Sequence, residues 1–446
     1  MARVAVVHNT LDFQGGADAV CLAACEALAA EHDVTLITVS ETDPANLADR
    51  FGFDLSGVRV RSPPGDAPIA AALSAAAPRV GPQLAARSVL LRAYFQRIAD
   101  DFDLAVSTAN ELDLPVPSVQ YVHYPQFRID RLPDGDPGRV NGLWSRIAAP
   151  SRAALADGNV TLLANSAWTA DVVARAYGTH PSVVHPPVDP VPCDRAWADR
   201  EAGIVTVGRL APDKQMLDAI RIVDGVRERG HDIHLHIVGS APRAYREYAE
   251  RVVAAAAERP YVAVERDASR DRLETLLCTH RYGLNTKPAE HFGMSVAEYV
   301  AAGMVAFASD SGGQREILDG RADRLFDSVD QAVGLVCEAV DRDDRPTLPR
   351  DRFARERVRR GDAAGGRADR RLITRLSYGP VWQPIPRRSP GWPRSRSRRC
   401  TSPASSSRAS PGSCTSTSGW RSSPARSGGR SCSPASGSSP AVPPSP

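Results

Sequence analysis

The chain has 446 residues, 42% of them hydrophobic and 24% charged, enough for two or three globular domains. Its formal net charge of +3 averages two unlike regions: all 52 acidic side chains precede residue 371, whereas residues 371–446 carry twelve arginines and no Asp or Glu. The first 370 residues are therefore net acidic, which argues against non-specific binding of nucleic acid.

The segment ARVAVVHN opens the chain as an apolar, β-branched buried strand. It runs through LDFQGGAD, a glycine turn, into the helical pattern AVCLAACEALAAE. Strand, glycine turn and helix begin a doubly wound α/β domain. HDVTLITVS, FDLAVSTAN, PSVQYVHYP and VTLLANS supply further strands, and short apolar strands alternating with helical segments imply a mostly parallel sheet. The Pro-rich stretch HPPVDPVP, residues 185–192, then reads as a hinge. A second α/β unit follows: GIVTVGRL, IHLHIVGS, YVAVER, YGLNTKP and VAFASDS are strands, interleaved with the helices LDAIRIVDGVRER, YREYAERVVAAAAE, SRDRLETLLCTH and SVAEYVAAG. The expected organisation is a first Rossmann-like domain over residues 1–185, a hinge over 186–200 and a second Rossmann-like domain over 201–358. RFARERV, residues 352–358, closes the second domain as its last helix. Residues 359–446 are rich in Ser, Pro, Arg and Gly and too poor in aliphatic side chains to offset their conformational entropy. Acidic residues vanish after Asp369, which is how a GC-rich gene reads after a frame change, so this tail is expected to be disordered or frameshifted. RSRSRR, residues 394–399, offers the weaker alternative of an RNA-binding tail.

Lysine occurs twice, at Lys214 and Lys287, against 53 arginines. Of the eight cysteines, Cys21 and Cys25 share a helical face, whereas Cys193, Cys278 and Cys337 stand alone. No spacing reads as a zinc site or a disulfide framework, so reduced cytoplasmic thiols are expected. No signal peptide is legible, and the Ala-rich stretch over residues 67–77 is too short to cross a bilayer.

The most informative segment is KPAEHFGMSVAEYVAAGMVAFASDSGGQRE, residues 287–316. Glu290 belongs in a loop at the carboxyl end of a strand. Gly293 lets backbone approach a ligand closely. A helix beginning near Met294 turns its first N–H groups toward a diphosphate, and Glu298, about one turn on, can accept two hydrogen bonds from a ribose diol. In VGRLAPDKQ, residues 207–215, Arg209 and Lys214 follow a strand on a loop turned by Pro212 and Asp213, where two cations can neutralise a diphosphate whose charge grows as a glycosidic bond breaks. YVHYP, residues 121–125, places His123 at a strand end, and QGGAD, residues 14–18, is the glycine loop of the first domain, with Asp18 able to cap the helix after it.

Together these motifs resemble those of the retaining glycosyltransferases of family 4, whose fold is GT-B: two Rossmann-like domains facing each other across a cleft. Within that family YVHYP, NSAWT (165–169), HPPVD (185–189) and EHFG (290–293) are most similar to the dolichol-pathway α-1,2-mannosyltransferase group, and the resemblance extends over residues 1–358. It implies a nucleotide-sugar donor, GDP-mannose ahead of UDP-hexoses, and a glycan or lipid-linked acceptor met at the cytoplasmic face of a membrane. It assigns the diphosphate to Arg209 and Lys214, the ribose to Glu298, the sugar to Glu290 and His123, and further donor contacts to Gly15, Gly16 and the backbone of Phe292, Gly293 and Met294. Departure is then front-face, with the leaving phosphate accepting the acceptor's proton and no protein nucleophile. No metal or other cofactor is expected. The remaining alternatives are a GT-B epimerase and a sugar-nucleotide binding module without turnover.

Overall fold

The computed structural model describes residues 1–80, 83–128, 139–188, 190–242 and 245–354. The tail expected from residue 359 lies outside them.

Two parallel sheets are built in succession. The first contains β1 (Arg3–Val7), β2 (Asp33–Ile37), β3 (Val58–Arg61), β4 (Leu104–Ser107), β5 (Ser118–Val122), β6 (Val160–Ala164) and β7 (Ser182–Val183), in the spatial order β3-β2-β1-β4-β5-β6-β7. The second contains β8 (Glu201–Val207), β9 (His234–Gly239), β10 (Val262–Arg266), β11 (His280–Asn285), β12 (Val305–Ser309) and β13 (Leu325–Phe326), in the order β10-β9-β8-β11-β12-β13. Each sheet reverses its winding once, between β1 and β4 and between β8 and β11. Such switch points leave a crevice outside the carboxyl ends of the strands, where ligands bind in open α/β sheets.

The helices of the first unit are α1 (Gly16–Ala29), α2 (Pro44–Phe51), α3 (Asp66–Val80), α4 (Leu84–Ile98), α5 (Arg139–Ala148), α6 (Arg152–Leu155) and α7 (Ala167–Tyr177). Those of the second are α8 (Met216–Glu228), α9 (Arg246–Ala257), α10 (Arg270–Thr279), α11 (Met294–Ala301), α12 (Gln314–Ile317) and α13 (Val329–Asp341). The central strands are apolar on both faces, as parallel strands covered by helices on both sides must be. Val4 to Val7 of β1 and Val305 to Phe307 of β12 are all buried. The edge strand β3 reads VRVR and is partly exposed, so it offers no apolar run to the eye.

Two expectations are corrected. Cys193 and Cys278 are not isolated thiols: they form a disulfide between the linker and α10. RFARERV does not begin as a helix: residues 351–353 form a turn, and residues 355–358 lie outside the described residues. That turn holds the Pro-rich segment. The Val188 N–H donates to Phe353 O at 2.8 Å, and Arg350 donates to Val191 O at 2.5 Å and to Ala301 O at 2.9 Å.

Candidate active site

The carboxyl ends of β8 and β11, neighbours at the second switch point, bring most of the expected residues together. β8 runs into Gly208 and Arg209, and a 3-10 turn over Pro212–Lys214 then leads to α8. β11 ends at Asn285 and gives way to the loop carrying Lys287 and Glu290. Lys214 Nζ forms a short ion pair with Glu290 Oε2, and Lys287 Nζ lies 3.6 Å from Glu290 Oε1 and 3.4 Å from Asp213 Oδ2. Arg209 completes the cluster 3.6 Å from Asp213 Oδ2. Glu290 is only 8% exposed. Burial alone would oppose its ionisation, but Lys214 and Lys287 hold its carboxyl well below the usual carboxylate range.

Two glycines shape the loop. Gly293 caps α11 with φ at 111°, and Gly312 has φ at 79°; an added Cβ on Gly312 would lie 2.2 Å from Glu290 O. The close approach lets Gly313 N donate to Glu290 O at 2.8 Å, stitching the EHFG loop to the loop after β12. α11 starts at Met294, as the sequence suggests, and Ala297 N is its first amide paired to Gly293 O, leaving the earlier N–H groups at the helix start turned toward the loop. Glu298, in the second turn of α11, meets Arg270 NH1 at 2.6 Å. Arg270, the first residue of α10, is a partner of Glu298 that no sequence motif indicated.

From the first unit, the glycine loop reaches the same place. A Cβ on Gly16 would come within 2.9 Å of Met294 Cγ, and the Arg209 guanidinium lies 5.6 Å from the centre of the Phe13 ring. The loop is anchored from below. Asp18 Oδ2 accepts from Gly15 N at 2.9 Å, and Asp18 Oδ1 lies 3.0 Å from His8 Nε2. His8 Nδ1 is 3.1 Å from Thr108 O. Burial disfavours its charge, yet the neighbouring Cys21 and Asp18 raise His8 to about 10. A ring whose two nitrogens face a carboxylate and a carbonyl is well served by carrying both protons. His8 was not singled out from the sequence, where it is one more residue after a strand.

His123 follows β5, and its N–H is held by Asn110 Oδ1 at 2.8 Å. Its Nε2 is buried with no hydrogen-bond partner among the described residues. Burial, reinforced by the His8 charge, lowers His123 to about 3, so the ring is neutral at ordinary pH. Next to it, Tyr124 stacks on His291 with centroids 4.3 Å apart and on Trp168 at 5.8 Å. His291 is likewise lowered to about 3, by burial and by the charge of Lys287.

The two units also clasp each other beside the site. Ser166, the N-cap of α7, donates to His291 O at 2.6 Å. Glu316 of α12 accepts the N–H groups of Ala167 and Trp168 at 3.1 and 2.9 Å and lies 3.2 Å from His185 Nε2. A carboxylate from one unit thus caps a helix of the other. Burial resists ionisation of Glu316, but His185 and the two amides hold its pKa below the usual value.

Residues 201–341 match the family described as glycosyl transferases group 1. That match takes in the whole of the second sheet, from β8 to β13. The chain is similar to GDP-Man:Man(3)GlcNAc(2)-PP-Dol alpha-1,2-mannosyltransferases: 26% identity to the Mus musculus protein over 228 residues, 44% of this chain and 46% of that one, and 27% to the Dictyostelium discoideum protein over 175 residues, 35% of each. The chain spans less than half the length of these curated relatives. Among solved structures, Anabaena HepE in complex with UDP-glucose aligns with a TM-score of 0.55 at 13% identity, over 77% of this chain and 91% of that one. WaaG, a glycosyltransferase involved in lipopolysaccharide biosynthesis, aligns with a TM-score of 0.54 at 15% identity, over 81% and 100%. These likenesses show the fold, which is GT-B.

Proposed function

We propose that the chain is a retaining hexosyltransferase that transfers mannose from GDP-mannose to a lipid-linked or glycan acceptor. The observation that carries this reading is the convergence of Arg209, Lys214, Lys287 and Glu290 at the second switch point, with Gly16 of the first unit's glycine loop against Met294. The cations are held against Glu290 and Asp213. A diphosphate brings more negative charge than either carboxylate, so it draws Arg209 and Lys214 to itself and leaves Glu290 for the sugar hydroxyls. The amides at the start of α11 add a positive pole. Glu298, oriented by Arg270, accepts from the ribose diol. Neutral His123, whose Nε2 has no partner among the described residues, bonds a sugar hydroxyl from the opposite wall. As the glycosidic bond lengthens, charge accumulates on the diphosphate, where the fixed cations are worth most. The departing phosphate takes the acceptor's proton on the same face, which retains configuration.

The names of the mannosyltransferase relatives favour GDP-mannose and a lipid-linked acceptor. One feature of the first unit favours a lipid-linked acceptor independently. α5 packs on α4 and turns Leu143, Trp144 and Ile147 outward, at 59%, 37% and 46% exposure. An apolar helix face with a tryptophan suits the headgroup boundary of a membrane. A donor panel read by thermal shift tests the reading: GDP-mannose and GDP should raise Tm more than UDP-glucose and UDP. Selective stabilisation by the UDP compounds would move the donor to a UDP-hexose, and no shift with any nucleotide sugar would sink the transferase reading.

A further inference from the structure

A second cluster of chemistry lies at the other end of the same sheet. His234 opens β9 and His280 opens β11, while His236 stands two residues along β9 and so shares a face with His234. β8 runs between β9 and β11. Gly203 allows the rings to meet across it: a Cβ there would lie 2.4 Å from His234 Nε2 and 2.5 Å from His280 Cδ2. One nitrogen from each of the three rings falls within 4.8 Å of the others, and His234 Nε2 and His280 Nε2 are 2.9 Å apart. Glu201, the first residue of β8, places Oε2 3.5 Å from His234 Nε2 and 3.9 Å from His280 Nε2.

The outer contacts of two rings fix where their lone pairs point. His280 Nδ1 lies 2.8 Å from Leu276 O, and a carbonyl can only accept, so the proton is on Nδ1 and Nε2 is free to ligate. His236 Nδ1 lies 2.9 Å from Glu265 Oε1, and that carboxylate is itself held by Arg272 at 2.6 Å. An imidazole donating one N–H to a carbonyl or a carboxylate while turning the other nitrogen inward is how metal-ligating histidines are oriented. We propose that His234, His236 and His280, with Glu201, form a binding site for a zinc-class divalent cation. Three imidazoles and one carboxylate are a donor set that zinc accepts in tetrahedral geometry. With Zn–N near 2.0–2.1 Å, tetrahedral ligand nitrogens stand about 3.4 Å apart, so the His234–His280 pair need part by only about 0.5 Å. The His234 side chain is 31% exposed, which opens a way in from solvent. The cluster marks the starts of β8 and β11, a strand length of about 20 Å from the sugar-donor residues. The cation's part is to brace three strands rather than to touch substrate. The residues come from three strands, so no local spacing in the sequence displays them together.

The test uses the full-length chain stripped with chelator, with zinc chloride as the titrant in calorimetry and cobalt(II) as a spectroscopic probe. One equivalent of zinc should bind, cobalt(II) should give the visible absorption of a tetrahedral site, and Tm should rise with zinc. His234→Ala/His236→Ala, at partly buried positions, should lose zinc affinity by at least 100-fold while circular dichroism and the GDP-mannose thermal shift stay as in wild type. Glu265→Gln should weaken zinc about 10- to 100-fold. A wild-type protein that takes up no zinc, or one whose zinc binding equals that of the double variant, overturns the proposal.

Discussion

Glu298 shows how a residue's partner sharpens its role. Held by Arg270 at 2.6 Å, its carboxyl group is oriented before any ligand arrives. Glu298→Gln keeps the shape but loses the charge, and it trades one acceptor oxygen for a donor. Donor affinity in calorimetry should fall about 10-fold or more, the loss of a charge-assisted hydrogen bond, with little change in Tm. Unchanged affinity would remove Glu298 from the ribose. Glu111 gives a different prediction. It is buried beneath the loop that carries His123 and accepts from Tyr177 OH at 2.7 Å and from the N–H groups of Gln126 and Phe127 at 2.8 and 3.1 Å. Burial outweighs these bonds and raises it to about 7. Between its unfolded value near pH 4.5 and pH 7, the folded chain keeps a proton that the unfolded chain has lost. Stability attributable to this group therefore falls as pH rises through that window and levels off above it. In urea unfolding, wild type should lose roughly 1–3 kcal/mol more than Glu111→Gln between pH 5 and pH 8. Parallel pH profiles would show that Glu111 is not raised.

At the scale of elements, the short helix α12 does more than follow the Gly312–Gly313 turn. Its Glu316 supplies the first-turn acceptor for α7, which belongs to the other sheet. Glu316→Ala strips two helix-start amides of their partner and should cost about 1–2 kcal/mol of stability. Donor affinity, to which the second unit contributes the diphosphate and ribose contacts, should fall less than kcat, because the first unit no longer closes as firmly. A variant with weakened donor binding and unaltered kcat would contradict this division. The elements that could be read from the sequence are those whose signal is local. Apolar runs disclosed β1 and strands β8 to β12 of the second sheet, though not the two-residue β13, and Gly293 with the Ala-rich stretch after it disclosed α11. What stayed hidden depends on partners far along the chain. The Cys193–Cys278 disulfide joins residues 85 apart, Glu316 reaches back to Ala167, and His8 is tied to Thr108. β3, with its alternating Val and Arg at a sheet edge, carried too weak a pattern to be seen.

For the whole molecule, the two sheets share one winding order and present their switch points to a common site. The motif residues Arg209, Lys214 and Glu290 gather there because each lies just beyond a strand that the fold places centrally. Their meeting was legible because strand-end loops are where such folds bind ligands. Arg270 was not legible, because nothing in the sequence around α10 says which strand end it faces. The proposed mechanism gives the diphosphate charge to Arg209 and Lys214, so it predicts that turnover persists in EDTA. Activity lost and restored by manganese or magnesium would place a metal on the diphosphate, whereas loss restored only by zinc would point to the histidine cluster.

The central claim is that this site transfers mannose with retention, using Lys214 against the departing diphosphate. Proton NMR of the reaction between GDP-mannose and a mannose-terminated acceptor tests it most directly, with wild type and Lys214→Ala run side by side. The account predicts an α-linked product from wild type and a rate about 100- to 1000-fold lower from Lys214→Ala, the usual loss when a charge-stabilising donor is removed. A β-linked product, or wild-type turnover in the variant, would contradict it.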